Sequence, residues 1–111
     1  MIDQIRPSGL AAWIQEQAAP VLVLDVREPA ELRAASIEPA GFSLLAIPMN
    51  EVPARLAELD PDQPIAVLCH HGARSQRVAL FLAQNGFARL ANIAGGIDAW
   101  SLERDENVPR Y

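Results

Sequence analysis

The two segments that most constrain the fold of this chain are short apolar runs, each followed at once by polar residues. Residues 21–26 read VLVLDV, and residues 65–68 read IAVL. Continuous apolar runs of this length are typical of strands that are covered on both faces. An amphipathic helical pattern follows each run, over residues 28–35 and 74–84. This alternation predicts an α/β fold with a mainly parallel sheet and helices on both faces.

Weaker patterns continue the alternation of strands and helices along the chain. Further strands are predicted at residues 2–5, 44–47 and 89–93. Further helices are predicted to begin at Ser8, at Asn50 and at Gly95-Gly96, the second one turning Val52, Leu56 and Leu59 toward the core. The sequence contains no internal repeat and no linker rich in glycine or serine. We therefore expect one domain over residues 1–111.

The composition is that of an ordinary globular domain, and it argues against several classes of function. Hydrophobic residues make up 50% of the chain and charged residues 21%, while the net charge is −5. All nine basic residues are arginines and form no basic stripe, which argues against nucleic acid and membrane surfaces as partners. No apolar run is long enough to span a membrane and the first residues do not resemble a signal peptide, so a cytoplasmic location is predicted. The single cysteine cannot form an internal disulfide.

The polar segments after the two strongest strands are the candidate functional loops. They read DVRE at residues 25–28 and CHHGARS at residues 69–75. In parallel sheets, ligands bind beside the carboxyl ends of strands, where loops turn into helices. The second segment also holds the only cysteine and the only two histidines of the chain. Fold and composition therefore point to the same short segment.

Cys69 lies where several features favour its thiolate, which is the nucleophilic form of a cysteine. The residue precedes a helix N-terminus, which offers unpaired N–H groups and the positive end of the helix dipole. Gly72 allows a turn that brings successive N–H groups together as an anion-binding nest. Arg74 and Arg77, and either histidine when protonated, add positive charge. The pattern predicts a nucleophile beside a bound anion.

Three other interpretations of this segment compete with a nucleophile. A lone cysteine after an apolar strand is often a small buried hydrophobe, although the glycine and arginine that follow favour a function. A metal site would use Cys69, His70 and His71, but adjacent residues do not readily face one ion, and no further cysteine or histidine completes four ligands. A nucleotide phosphate loop requires a lysine, and the chain has none. We therefore predict that no metal is bound.

Three motifs in this chain resemble those of the single-domain rhodanese-like sulfurtransferases. They are VLVLDVREPAEL at residues 21–32, IAVLCHHGARS at residues 65–75 and FLAQNGFARLANIAGGIDAW at residues 81–100. The motifs occur in the family's order and at its spacing, and together they span most of the chain. The terminal VPRY, at residues 108–111, is also similar to the family. The resemblance implies the rhodanese fold and an enzyme of the thiosulfate sulfurtransferase type.

The resemblance also implies a chemistry and a set of site residues. Cys69 would attack the outer sulfur of thiosulfate or a similar donor, release sulfite and hold the sulfur as a persulfide. Cyanide, a thiol or a protein would then accept that sulfur. The loop around the persulfide would comprise His70, His71, Gly72, Ala73, Arg74 and Ser75. The cycle would need no metal and no organic cofactor.

Two alternatives remain within the same fold. Cysteine-dependent phosphatases and arsenate reductases resemble a C-x5-R pattern, whereas four residues separate Cys69 from Arg74 in this chain. The shorter loop would form a smaller ring of amides, which suits a sulfur atom better than a phosphoryl group. The other alternative is a non-catalytic module that binds partners, and the retained Cys69 argues against it.

Two further features concern the surroundings of the loop. Asp25 and Arg27 are supporting residues that could orient it, for example by pairing with Arg74. Alternatively, Arg27 could pair with Glu31 or Glu28 and merely tie loops together. The segment that begins at Ser36 departs from the family, which usually has a histidine at that position followed by Ile-Pro-Gly. This departure leaves the cysteine loop itself intact.

Overall fold

Five parallel strands form one sheet in the computed structural model, which describes residues 2–111. The strands are β1 (Ile2–Ile5), β2 (Leu22–Asp25), β3 (Ser43–Ala46), β4 (Ile65–Leu68) and β5 (Leu90–Ile93). Their order across the sheet is β1-β5-β4-β2-β3, and every neighbouring pair runs parallel. The predicted α/β fold with a parallel sheet is confirmed, and the two apolar runs both lie in interior strands.

Helices connect the strands on both sides of this sheet. The α-helices are α1 (Leu10–Gln15), α2 (Pro29–Ala34), α3 (Ala73–Gln84) and α4 (Gly96–Glu103). Short 3-10 helices cover Pro7–Gly9, Met49–Glu51 and Leu56–Glu58. Within residues 2–111, none of the helices has the length and the apolar character that crossing a membrane requires.

Alternate residues of the interior strands point to opposite faces, and each face is buried in its own hydrophobic cluster. One cluster receives Val23 and Leu68 from the strands and includes residues of α1 and α4. The other receives Leu24 and Val67 and includes residues of α3. Cys69, which directly follows β4, belongs to this second cluster. Burial on both faces explains why β2 and β4 are continuous apolar runs in the sequence.

The prediction of a helix that begins at Asn50 is wrong. Residues 49–51 and 56–58 form two separate 3-10 turns instead. The N–H of Arg55 donates to the carbonyl of Glu51 at 3.0 Å, so one helical turn spans Pro53. Arg55 then leaves the helical conformation, with φ −110° and ψ 17°. Apolar residues of this segment nevertheless pack against the core, as the pattern predicted.

The helix cap predicted at Ser8 is also wrong. Pro7 begins a 3-10 helix one residue earlier, so Ser8 lies inside that turn and α1 starts only at Leu10. The Ser8 hydroxyl donates a hydrogen bond of 3.0 Å to the carboxylate of Glu103 instead. The contact connects the segment after β1 with the end of α4.

Candidate active site

Cys69 lies in a short loop between the carboxyl end of β4 and the start of α3. Only 1% of the residue is exposed. The N–H group of Gly72 donates a hydrogen bond of 3.0 Å to the Cys69 Sγ atom. Gly72 adopts φ +109°, which glycine reaches without steric cost, and the chain enters α3 at the next residue, Ala73. The hydrogen bond and the nearby helix N-terminus both stabilise a negative charge on the sulfur.

The first turn of α4 holds the backbone of this loop. The N–H of Ile97 donates to the carbonyl of Cys69 at 2.9 Å, and the N–H of Asp98 donates to the carbonyl of His70 at 3.2 Å. The peptide bonds of the described residues are trans, so the N–H groups of His70 and His71 point away from α4. Neither N–H group has a hydrogen-bond acceptor within residues 2–111. Unpaired amides beside Cys69 suit the binding of an anion.

Ser75, on the first turn of α3, connects the sulfur with a buried polar network. Its Oγ atom lies 3.3 Å from Cys69 Sγ, 3.1 Å from the carbonyl oxygen of Gly72 and 2.5 Å from Asn92 Oδ1. The Asn92 amide nitrogen donates to Gln4 at 2.9 Å, which leaves Oδ1 as the acceptor that faces Ser75. Ser75 and Asn92 are both buried. The single hydroxyl hydrogen of Ser75 therefore has three acceptors within reach and can serve only one of them at a time.

Two ion pairs lie beside the Cys69 loop. The buried Arg27 donates from Nε and Nη2 to the carboxylate of Asp25, at 2.9 and 2.7 Å. Arg74 donates to both carboxylate oxygens of Glu31 on α2, at 2.6 and 2.7 Å. The hydrogen bonds from Arg74, with a further one from Tyr111, lower the pKa of Glu31 to about 2 against the effect of burial. The suggested pairing of Asp25 or Arg27 with Arg74 is wrong, because Asp25 and Arg27 satisfy each other while Glu31 occupies Arg74.

An aromatic stack lies over the loop next to Cys69. The ring of Tyr111 packs on that of His70 with centroids 3.9 Å apart and an interplanar angle of 8°. The ring of His71 also stacks on His70, at 3.9 Å and 24°. One ring face accommodates one stacked partner, so the His70 ring is enclosed between Tyr111 and His71. The Tyr111 hydroxyl accepts a hydrogen bond from Arg27 Nη1 at 3.0 Å and donates one to Glu31 Oε2 at 2.8 Å.

The two histidines also approach an acidic side chain. His70, His71 and Asp98 bring one potential ligand atom each within 4.8 Å of one another. The stacked imidazole rings are nearly parallel, so their nitrogen lone pairs do not converge on one point. Asp98 is also engaged, since Arg110 donates to its two carboxylate oxygens at 2.9 and 3.2 Å. This arrangement does not fit the tetrahedral geometry of a zinc site. That the chain binds no metal stays a prediction.

Two residues singled out in the sequence contribute to other features. Arg77 lies further along α3, where it lines an apolar cavity of about 170 Å³ together with Met49 and Phe81. Ser36 is exposed, and its hydroxyl donates to the carbonyl of Leu32 at the end of α2, at 2.6 Å. The atypical segment therefore closes α2 with a side-chain hydrogen bond.

Sequence reasoning missed Asn92 and Tyr111, and it missed the partner that Glu31 provides for Arg74. Glu31 carries a local signal, because its carboxylate accepts from the N–H of Glu28 at the start of α2. This capping pattern predicts a helix start, but it does not reveal a contact with α3. Neither Asn92 nor the terminal VPRY gives a local signal of contact with the loop, since β5 and the segment after α4 bring Asn92 and Tyr111 there from distant parts of the chain.

Comparisons with known proteins agree with the fold. Residues 7–103 match the family model described as "Rhodanese-like domain". The chain is 34% identical over 101 residues to a sulfurtransferase of Allochromatium vinosum, covering 91% of this chain and 90% of that protein. It is 31% identical over 90 residues to a thiosulfate sulfurtransferase of Pseudoalteromonas translucida, covering 81% and 82%. The crystal structure of a rhodanese-like domain protein from Staphylococcus aureus superimposes with a TM-score of 0.77 at 27% identity, over 99% of both chains. Some longer relatives are matched over only 21% to 30% of their own length.

Proposed function

Since this chain belongs to the rhodanese-like family, we propose that it is a thiosulfate sulfurtransferase that works through a persulfide on Cys69. The observation that carries the proposal is the environment of the sulfur. Cys69 Sγ accepts the N–H of Gly72 at 3.0 Å, next to two backbone amides that have no acceptor within residues 2–111. A nucleophile and an anion-binding surface thus occupy the same loop. The similarity to a thiosulfate sulfurtransferase supports thiosulfate as the donor.

In the first half of the cycle, the Cys69 thiolate attacks the outer sulfur of thiosulfate. A new S–S bond forms to Cys69 while the S–S bond of thiosulfate breaks, and its electron pair leaves with sulfite. The product is a Cys69 persulfide anion. The amides of His70 and His71 and the N-terminus of α3 are suited to hold this charge without a metal or an organic cofactor.

In the second half, a thiophilic acceptor attacks the outer sulfur of the persulfide. Cyanide would leave as thiocyanate, while a small thiol or a protein thiol would become a persulfide itself. The bond between the two sulfur atoms breaks, and its electron pair returns to Cys69 as the thiolate. No external oxidant or reductant is consumed, because sulfane sulfur is passed from one nucleophile to another.

Ser75 is suited to follow the charge on the sulfur. While the sulfur carries no charge, the Ser75 hydroxyl donates best to Asn92 Oδ1, the nearest acceptor at 2.5 Å, so that a Cys69 thiol can donate to Ser75 Oγ. When the sulfur carries a negative charge, rotation of the hydroxyl turns the same hydrogen toward it. Ser75 would thereby stabilise the anionic form without taking up a proton.

A phosphatase or an arsenate reductase fits this site less well. Binding a tetrahedral oxyanion would draw on the guanidinium of Arg74, which offers two parallel N–H groups. Both carboxylate oxygens of Glu31 already occupy these groups, at 2.6 and 2.7 Å. The low pKa of Glu31, about 2, keeps the carboxylate charged at neutral pH. The four-residue gap between Cys69 and Arg74 also favours the sulfur reaction, because a short loop forms a small ring of amides that suits a sulfur atom better than a phosphoryl group.

The test is to incubate the purified protein with thiosulfate and cyanide and to measure thiocyanate, with Cys69→Ser as the control variant. Intact mass after thiosulfate alone should increase by one sulfur atom in the wild type and not in the variant. No thiocyanate and no mass increase, together with hydrolysis of an aryl phosphate, would replace the proposal by the phosphatase. If all three measurements are negative, the non-catalytic binding module is the better description.

A further inference from the structure

Tyr111, in the terminal segment VPRY, contacts the cysteine loop from outside the three longer family motifs. Its ring stacks on His70, the neighbour of Cys69, with centroids 3.9 Å apart. Tyr111 follows α4. It lies beyond the third motif, which ends at residue 100, and beyond the family match, which ends at residue 103. About 39% of the residue is exposed, so the ring forms part of the outer surface over the loop.

The hydroxyl group of Tyr111 fixes the ring in this position. It accepts a hydrogen bond from Arg27 Nη1 and donates one to Glu31 Oε2. Both partners are themselves held, because Arg27 is bound by the carboxylate of Asp25 and Glu31 is bound by Arg74. A hydroxyl between two fixed groups has little freedom to move. The hydrogen bonds of the hydroxyl therefore hold the Tyr111 ring in one position over the loop.

The stack also covers an unpaired polar atom. Within residues 2–111, Nε2 of His70 is the one buried side-chain nitrogen or oxygen atom of a non-exposed residue that lacks a hydrogen-bond partner. Such an atom gains a hydrogen bond when a polar molecule reaches it, which favours admission of a small polar molecule at this place. Cys69 itself is 1% exposed, so a reagent reaches its sulfur only where the neighbouring side chains leave room for it.

From these contacts we propose that Tyr111 is a specificity-determining residue, whose ring restricts access to Cys69 to compact sulfur donors and acceptors. Thiosulfate would pass the stack of Tyr111, His70 and His71, whereas donors with an aryl group next to the transferred sulfur would be excluded. As a statement about donors, the inference rests on the sulfurtransferase activity proposed above. As a statement about access, it applies to any reagent that modifies Cys69.

Aryl thiosulfonates provide the donor side of the test. The Cys69 thiolate attacks their outer sulfur, the S–S bond of the donor breaks, and its electron pair leaves with the aryl sulfinate. The enzyme product is the same persulfide that thiosulfate gives. The two donors therefore differ in the size of the leaving group, and the ratio of their kcat/KM values reports on the room beside Cys69.

Three variants separate the ring of Tyr111 from its hydroxyl group. Tyr111→Phe keeps the stacked ring and loses the two hydrogen bonds of the hydroxyl. Tyr111→Ala loses the ring and the hydrogen bonds. Tyr111→Leu keeps apolar bulk and replaces the alanine variant if that variant does not fold. Leu102→Ala is the matched control, because Leu102 is a large hydrophobic residue of α4 with 64% exposure. Folding of each variant is checked by thermal unfolding.

The first readout does not depend on sulfur transfer. Cys69 is the only thiol, so intact mass gives its alkylation rates by iodoacetamide and by a bulky aryl maleimide. We expect the ratio of maleimide to iodoacetamide rates to rise about tenfold in Tyr111→Ala. Leu102→Ala should stay within about twofold of the wild type. Tyr111→Phe keeps the ring but loses the hydrogen bonds that fix it, so its ratio should rise less than that of Tyr111→Ala. The kcat/KM ratio of aryl thiosulfonate to thiosulfate should rise in the same order.

Unchanged ratios in Tyr111→Ala and Tyr111→Leu would overturn the proposal. A rise in Tyr111→Phe as large as in Tyr111→Ala would overturn it as well, because the ring itself would then not restrict access to Cys69. If no variant forms thiocyanate from any donor while the alkylation ratio changes as expected, the proposed sulfurtransferase activity fails and the control of access stands.

Discussion

Gly96 is the position where one added methyl group should separate the cysteine loop from α4. The residue adopts φ +60°, and a Cβ atom built there would lie 2.4 Å from the carbonyl oxygens of both Cys69 and His70. These are the carbonyls that accept the N–H groups of Ile97 and Asp98, at 2.9 and 3.2 Å. The variant Gly96→Ala therefore has to move the loop backbone away from α4 or distort the start of the helix.

The cost of this variant has two parts. An alanine in the left-handed region costs about 1–2 kcal/mol. Overlap with packed backbone atoms that cannot rotate away costs about 1–3 kcal/mol more. We therefore expect Gly96→Ala to lower the free energy of unfolding by roughly 2–5 kcal/mol. A shift of the nucleophile by about 1 Å should slow persulfide formation on Cys69 by about a hundredfold.

Gly86→Ala is the matched control for Gly96→Ala. Gly86 also has a positive φ, +89°, but nothing lies within 4 Å of the Cβ atom built there. This variant should lose only the conformational part, about 1–2 kcal/mol, and should form the persulfide at the wild-type rate. Urea unfolding gives the free energies, and intact mass after addition of thiosulfate gives the rates. Equal losses of stability and equal persulfide rates in the two variants would refute the view that contact with α4 shapes the loop.

Three further predictions concern the groups around the loop. Ser75→Ala leaves the buried Oδ1 atom of Asn92 without a donor, so urea unfolding should show a loss of about 1–3 kcal/mol in the free energy of unfolding. The value of kcat/KM for thiosulfate should fall by about tenfold in the same variant. Asp25→Asn leaves the buried guanidinium of Arg27 without its counter-charge and should cost about 3–5 kcal/mol in urea unfolding. Arg74 and Tyr111 depress the pKa of Glu31 to about 2, so the stability that this carboxylate contributes is present above the ordinary glutamate value of 4.5 and is lost as the pH falls toward 2. Glu31→Gln should flatten the pH dependence of unfolding in that window.

Each of these predictions has a control and a contrary outcome. Ser101→Ala removes another buried serine and should leave kcat/KM unchanged, and an equal effect of the two serine variants would show that contact with the sulfur is unimportant. The double variant Asp25→Leu/Arg27→Met should be less destabilised than Asp25→Asn, and the opposite order would contradict the argument from an unpaired charge. Glu58→Gln serves as the control for Glu31→Gln because Glu58 pairs with an arginine at the surface, and the same flattening there would remove the special role of Glu31.

The fold could be predicted where burial alone determines the pattern of apolar residues in the sequence. Interior strands β2 and β4 are apolar on both faces, so their residues alone identify them. The segment after Asn50 shows the opposite case, because its apolar residues do face the core, as in a helix. The helical turn ends at Arg55, with φ −110° and ψ 17°, and the spacing of apolar residues does not record this.

The candidate site was predictable where its parts are neighbours in the chain. Cys69, Gly72 and the helix N-terminus lie within a few residues, so their meeting follows from local geometry. The contact between Glu31 and Arg74 depends on how α2 packs beside α3, and the stack of Tyr111 on His70 depends on where the chain returns after α4. Such contacts follow from tertiary packing, for which a single sequence gives no periodic signal.

The hydrogen bonds between the cysteine loop and α4 have a consequence for the order of events during synthesis. Cys69 leaves the ribosome before Ile97 and Asp98, whose amides later bind the carbonyls of the loop. Until these residues emerge, the loop lacks the hydrogen bonds that orient its own amides. The competence of the loop to hold an anion therefore arises at a late stage of chain growth, after the residues that bury the sulfur have been made.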